Sequence, residues 1–397
     1  MRIIFTIDYS PWSAYGGGAQ RSNHNLAVTM AKRGHDVHVI NTKPPHEYVN
    51  TPEDLPYTHH WEALPAFVSK RDAFFRVMTP MFVCKKAQQI MASYSDSEPL
   101  IVHSNGEEGG RIHKLHSQYR FGFISTPRHP HYPDTFFRYP FAQIPIIPKL
   151  GLWLHHGKYL MQASAARHAD FVSPPSHWAA DTLAEAFDIP EDKLYPVPNG
   201  VPAEFLNYHR NGQVSDGPIV FFGRLSKTKG VDTLVKALAQ IGAGNLPEVF
   251  IIGRGELKPE LQTMVKKYGL NSIVQFKPWM SHEELGEVLS SARMAVLPSR
   301  EENFSLAILG AMCVGTPTIS TKVGGTPEII QHRKTGLLVD AGNHHDLAEK
   351  INLLLDDRDL CDNISRAASS HVRGKLTWDD TAERFEELYQ QAWELHS

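Results

Sequence analysis

A short run of β-branched and aromatic residues, a glycine-bearing loop and an amphipathic stretch recur in that order along this chain, most regularly after residue 217. Ile219-Val220-Phe221-Phe222 predicts a strand and Val231 to Ile241 a helix. Val249 to Ile252 and Pro259 to Tyr268 repeat the pair. Ile273 to Phe276 is followed by Ser281 and Glu284, the spacing of a capping box that opens a helix. Met294 to Pro298 with Ser305 to Met312, then strands at Thr318 to Ser320 and Leu337 to Val339, and helices near 344–355 and 379–395, complete the series. Such alternation predicts a parallel sheet, because parallel neighbours are joined by crossovers, usually helical.

The first half repeats the pattern less regularly. Ile3 to Ile7 predicts a strand, followed by Gly16-Gly17-Gly18 and a helix with Leu26 and Met30 on one face. That helix stops near Arg33-Gly34, and Asp36 to Ile40 is the next strand. Leu100 to His103, Phe121 to Ser125, Phe171 to Ser173 and Leu194 to Pro198 read as further strands. Prolines at 140, 145 and 148 block a long helix before Lys149. The stretch from Val197 to about Gly217, rich in Pro, Gly and Asn, marks a domain boundary. The expected fold class is α/β, with two Rossmann-like doubly wound domains facing a central cleft, split as 1–200 and 201–378. Such domains bind ligands at the carboxyl ends of their strands.

Composition narrows the function. A chain of 397 residues with 42% apolar residues has length for two or three domains. Forty basic residues against 43 acidic give a net charge of −3, which excludes a globally basic nucleic-acid binder. Cys84, Cys313 and Cys361 lie far apart, so no disulfide framework or cysteine zinc site is indicated. The N-terminal apolar run is too short for a signal peptide, and no stretch of about 18 apolar residues exists, so the expected location is cytoplasmic. Histidines cluster at His59-His60, His129 with His131, and His155-His156, but no partners at ligand spacing complete a metal site.

Three loops between a strand and a helix carry candidate chemistry. Gly16-Gly17-Gly18 lets the backbone approach an anion at a helix N-terminus. Gly223-Arg224-Leu225-Ser226-Lys227-Thr228-Lys229-Gly230 sets two cations, Arg224 and Lys229, beside another helix start, an arrangement suited to a diphosphate. In Ser299-Arg300-Glu301-Glu302-Asn303-Phe304-Ser305-Leu306, the N–H groups of Ser305 and Leu306 open a helix and Glu302 lies at the mouth of the expected cleft. Each loop alone also fits a plain turn or a solvated surface.

In this order the motifs resemble the retaining glycosyltransferases of family 4, with the two-domain GT-B fold. The resemblance covers nearly the whole chain and is densest from Phe221 to Asp340, through Phe-Phe-Gly-Arg-Leu-Ser-Lys-Thr-Lys-Gly, Ile-Ile-Gly-Arg-Gly, Glu-Glu-Asn-Phe-Ser-Leu-Ala-Ile-Leu-Gly-Ala-Met and Gly-Thr-Pro-Thr-Ile-Ser-Thr-Lys-Val-Gly-Gly-Thr-Pro-Glu. It implies transfer of a sugar from a nucleoside diphosphate sugar, UDP- or GDP-linked, with no metal or other cofactor. The implied acceptor is a glycan or a lipid-linked glycan in cell-envelope or exopolysaccharide assembly, reached at the inner face of a membrane. The implied protein is a monomer or homodimer that does not bind nucleic acid. Carried over by position, Gly17 and Gly18 approach the diphosphate, Arg224 and Lys229 neutralise it, and Glu302 contacts the donor sugar. Asn303, Phe304, Ser305 and Leu306 bind the donor diphosphate or sugar, the last two as backbone phosphate contacts, and His129 faces the reacting carbon, with Arg128 and His131 as competitors.

The resemblance also has the last helix, about 379–397, crossing back to the first domain. The aromatic stretch from Tyr132 to Trp153, with Arg138, Lys149 and Lys158, is the candidate acceptor or membrane-facing surface, against a plainer reading as a packed domain-closing loop. Asp357-Arg358-Asp359 has the spacing of a metal motif but reads as a solvated loop between helices. One departure stands out. The family's second glutamate, which grips the ribose, falls on Gly310 counted from Glu302, or on Leu309 counted from Glu301. Either another group reaches the ribose, the donor differs, or donor binding is weak. The alternatives are a catalytically weak sugar-nucleotide-binding relative and a nucleotide-sugar epimerase on the same fold.

Overall fold

The structure, a computed structural model, describes the chain apart from residues 13–16, 44–50, 64–71, 95–97, 128–145, 211, 213–216 and 397. For residues 43, 63, 72–77 and 146–156 it describes the backbone only. The chain divides into two units, Met1–Pro198 with Thr381–Ser397, and Asn199–Asp380.

Unit 1 runs β1 (Arg2–Ile7), α1 (Gly18–Lys32), β2 (Asp36–Lys43), β3 (Thr58–Ala63), α2 (Asp72–Met91), β4 (Leu100–Ser104), β5 (Gly122–Ser125), α3 (Ile146–His168), β6 (Phe171–Val172) and α4 (His177–Phe187). Its six strands are parallel in the order β3-β2-β1-β4-β5-β6. The order reverses between β1 and β4, which makes that pair the topological switch point. β1 and β4 are apolar on both faces, as strands covered on both sides by helices must be, and Ile3, Ile4, Ile101 and Val102 are fully buried.

Unit 2 runs β7 (Ile219–Phe222), α5 (Val231–Ile241), β8 (Val249–Ile252), α6 (Lys258–Lys267), β9 (Val274–Lys277), α7 (His282–Ser291), β10 (Met294–Leu297), α8 (Leu306–Val314), β11 (Thr318–Thr321), α9 (Thr326–Ile329), β12 (Leu337–Val339), α10 (His344–Asp356) and α11 (Arg358–Lys375). The strands are again parallel, in the order β12-β11-β10-β7-β8-β9, with the switch point between β7 and β10. The capping box at α7 forms in both directions: Glu284 N–H donates to Ser281 Oγ at 3.2 Å, and Ser281 N–H to Glu284 Oε2 at 2.7 Å.

The chain ends on α12 (Trp378–Glu394), most of which belongs to unit 1. Phe385, Leu388 and Tyr389 form its buried face. The Tyr389 hydroxyl lies 2.6 Å from His103 Nδ1, and the other ring nitrogen of His103 lies 2.6 Å from Thr126 Oγ1. Glu386 accepts a two-pronged bond from Arg33 at 2.8 and 2.7 Å and lies 2.7 Å from His35 Nε2. Where unit 2 begins and ends, Val201 N–H donates to Leu376 O at 2.8 Å. A Cβ on Gly200 would stand 2.4 Å from the backbone nitrogen of Trp378, so only glycine fits there.

Several elements differ from the sequence reading. Leu194 to Pro198 is no strand; a single bridge joins Leu194 to Val172. α3 starts before Lys149 because Pro148 falls in its first turn, where proline removes no intrahelical bond. Asp357 caps α11 by accepting from Leu360 N–H at 2.9 Å, so Asp357-Arg358-Asp359 opens a helix instead of forming a loop. β3, α2, α4 and α11 have no counterpart in the sequence reading.

Candidate active site

In unit 2 the loops leaving β7 and β10, the strands of the switch point, carry Arg224, Lys229 and Glu302. After β7 the chain makes a 3₁₀ turn over Lys227–Lys229 and enters α5 through Gly230. Gly230 has φ +63°, and a Cβ on it would stand 2.0 Å from Pro298 O, so the position demands glycine twice over. That close approach presses the β7 loop onto the β10 loop.

Lys229 Nζ donates to Glu302 Oε2 at 2.5 Å, and Ser299 Oγ donates to the same oxygen at 3.1 Å. The Glu302 side chain is 12% exposed and that of Lys229 30%, so the pair sits at the rim of unit 2, partly shielded from water. Arg224 is exposed and, among the described residues, has no ion-pair partner. A carboxylate already holds one of the two predicted cations, and the other stands open. Ser305 caps α8 through Ile308 N–H at 3.4 Å, and the first N–H groups of α8 have no intrahelical partner. Asn303 and Leu306 are half-buried. Phe304, expected among the donor-binding residues, sends its side chain into the unit 2 core, where it anchors the loop and leaves only its backbone to face a ligand.

Gly310 lies in α8 with its α-carbon against the buried ring of Phe205; an added Cβ would stand 2.7 Å from that ring. A carboxylate introduced there must displace Phe205, so a Gly310→Glu substitution would disturb the core as well as the nucleotide site.

In unit 1 the switch point lies between β1 and β4. Gly17 N–H is already taken, donating to Gln20 Oε1 at 2.9 Å, while Gln20 Nε2 donates to Asp8 Oδ1 at 3.0 Å. Gly18 is exposed, and a Cβ there would meet nothing within 4 Å. Behind this loop lies Glu108, a buried carboxyl the sequence reading missed. Its Oε1 accepts from Asn105 N–H at 2.8 Å, Ser104 Oγ at 3.1 Å and Thr6 Oγ1 at 3.3 Å. Burial first, then the neighbouring charges of Glu107 and Asp8, push its pKa up to about 8. The signal was faint, because Glu107-Glu108 looks like any acidic turn after a strand.

His129, with Arg128 and His131, lies outside the described residues, as does most of the aromatic stretch from Tyr132. Lys158, proposed for an exposed basic surface, is instead buried, with its Nζ 3.4 Å from Glu107 Oε1. Among the described residues no three His, Cys, Asp or Glu side chains form a metal cluster. No described helix is long and apolar enough to cross a membrane.

Comparison with known proteins defines the class. The family model "Glycosyltransferase Family 4" matches residues 16–205, and "Glycosyl transferases group 1" matches residues 210–371. A curated relative, an uncharacterized glycosyltransferase of Methanocaldococcus jannaschii, is 30% identical over 54% of this chain and 58% of its own length. The chain spans about half the length of the first curated relatives it matches. An MMP alpha-(1->4)-mannosyltransferase of Mycolicibacterium hassiacum is 26% identical over 99% of this chain and 98% of its own. Among solved structures, a sucrose-phosphate synthase of Thermosynechococcus elongatus superposes with TM-score 0.79 at 21% identity, covering all of both chains. Anabaena HepE, solved in complex with UDP-glucose, superposes with TM-score 0.73 at 17% identity over 98% of this chain and 100% of its own. Two parallel six-stranded sheets with flanking helices, matched along both chains, are the GT-B fold. The chain belongs to the family 4 glycosyltransferases.

Proposed function

We propose that this chain is a retaining, metal-independent glycosyltransferase. It moves a sugar from a UDP- or GDP-linked donor to a hydroxyl of a glycan or lipid-linked acceptor in envelope or exopolysaccharide assembly. It works from the cytoplasm, with peripheral contact at the inner membrane face. The observation that carries this reading is the pairing of an open Arg224 with a Lys229–Glu302 couple at the unit 2 switch point.

Breaking the bond between sugar and diphosphate adds about one negative charge to the leaving group. Arg224, Lys229 and the free N–H groups opening α8 offset that charge with donors already in place. Glu302 meets the donor sugar, and the incoming diphosphate competes with it for Lys229. The acceptor hydroxyl attacks from the face the diphosphate leaves, and a phosphate oxygen takes its proton, which retains the anomeric configuration. Gly310 supports a second reading, a relative that binds nucleotide sugars and transfers poorly.

The test is thermal stabilisation by UDP, GDP, ADP, TDP and CDP, followed by the matching nucleotide sugars. One nucleotide at 100 times its Kd adds about 2.7 kcal/mol of stability. Lys229→Ala removes a hydrogen bond to a charged group and weakens that response by about 10- to 150-fold in Kd. Product NMR reads the anomeric configuration, and an EDTA-treated sample reads metal dependence. Silence across the whole panel overturns the donor assignment. Binding without transfer to any glycan acceptor favours the second reading.

A further inference from the structure

Lys229 and Glu302 reach each other from different loops, and Arg300 ties those loops together by its side chain. Arg300 leaves the β10 loop and, among the described residues, its hydrogen bonds go to the segment that carries Lys229. Its backbone N–H donates to Thr228 O at 2.7 Å, and its Nη1 donates to Lys227 O at 2.8 Å. Nη1 and Nη2 form a fork on Asp232, at 2.7 Å to each carboxylate oxygen, and Nη2 also reaches Thr233 Oγ1 at 3.2 Å. These contacts fall on both sides of Lys229 and Gly230, where Pro298 O already meets the glycine backbone. Asp232, in the first turn of α5, pairs more loosely with Lys236 at 3.8 Å. Burial opposes its ionisation, and the Arg300 fork overrides that, holding its carboxyl below the usual range.

We propose that Arg300 and Asp232 form a clamp that sets the distance between Lys229 and Glu302, making both positioning residues for the nucleoside diphosphate sugar site. A planar guanidinium gripping a carboxylate through two parallel bonds fixes direction as well as distance, which a lysine cannot do. The clamp leaves the ligand's own contacts to Arg224, Lys229 and Glu302. It rests on the donor reading above only for its effect on binding; its effect on the loop is independent of any ligand.

The experiment therefore has two arms on the full-length chain, with Asp232→Asn, Arg300→Lys and wild type. In the first, trace acetic anhydride labels the ligand-free proteins, and mass spectrometry reads acetylation of each lysine. Loosening the clamp frees Lys229 from Glu302, so its labelling rises several-fold in both variants. Lys258, Lys267 and Lys322 stay unchanged. In the second, calorimetry reads binding of whichever nucleotide stabilises the wild type, and the variants bind it about tenfold more weakly. A residue that merely stabilised unit 2 would lower the melting temperature and leave both readouts at wild-type values; that result overturns the clamp. If no nucleotide binds even the wild type, the donor reading falls, and the labelling arm still decides the clamp. Should one variant fail to fold, the other carries both arms, since Asp232→Asn keeps an acceptor and Arg300→Lys keeps the charge.

Discussion

At the scale of single residues, the candidate site depends on groups whose importance follows from what surrounds them. Gly230 is one: its positive φ and the Pro298 carbonyl at its α-carbon allow no side chain. Gly230→Ala should lose about 1–3 kcal/mol in urea unfolding, because an L side chain is strained there and the β10 loop must move. Nucleotide binding should weaken with it, and a variant with wild-type midpoint and affinity would show that the loops do not need this contact. Arg224 and Lys229 stand out in the sequence because two cations between a strand and a helix are a local pattern, and Glu302 stands out through its place in a motif that resembles the family's. Arg300 and Asp232 do not, since their partnership spans 68 residues. Phe304 shows another limit: a motif position does not say which way a side chain points, and this one points into the core.

Among the elements, legibility followed apolar content. β7, β8, α5 and β12 run where the periodicity placed them, because the three strands are Val, Ile, Leu and Phe throughout and α5 buries a stripe of Val231, Leu234, Val235 and Leu238. β3, with the sequence Thr-His-His-Trp-Glu-Ala, carries no aliphatic β-branched residue and gave no strand signal. α11 buries only Cys361, Ile364, Ser365, Ala368 and Val372, so its apolar stripe is made mostly of small side chains. α12 illustrates the same point through polar anchors. Its Tyr389 hydroxyl meets a ring nitrogen of fully enclosed His103. Tyr389→Phe removes that hydrogen bond in a place water does not reach, and should cost about 1–3 kcal/mol in chemical denaturation. A loss under a few tenths would mean that His103 finds another partner.

For the molecule as a whole, buried ionisable groups shape stability against pH. Glu108 stays protonated in the folded protein up to about pH 8, whereas in the unfolded chain it ionises near 4.5. The folded state therefore binds the extra proton, and the stability from this group is full below 4.5 and lost as pH rises through 8. Glu108→Gln should flatten that decline, so the variant gains on wild type when urea midpoints at pH 9 are compared with those at pH 5. Equal gaps at both values would place the Glu108 carboxyl in contact with solvent. The way the chain is shared between the units has a consequence of another kind, for its birth on the ribosome. Unit 2 is one continuous stretch, complete once Asp380 has emerged, while unit 1, begun first, still lacks the helix that brings Tyr389 and Glu386. At about 5–20 residues per second, roughly 10–40 s separate the appearance of Pro198 from that of the helix. For that interval His103 and its neighbours wait uncovered, so the half of the protein that is made first is finished last.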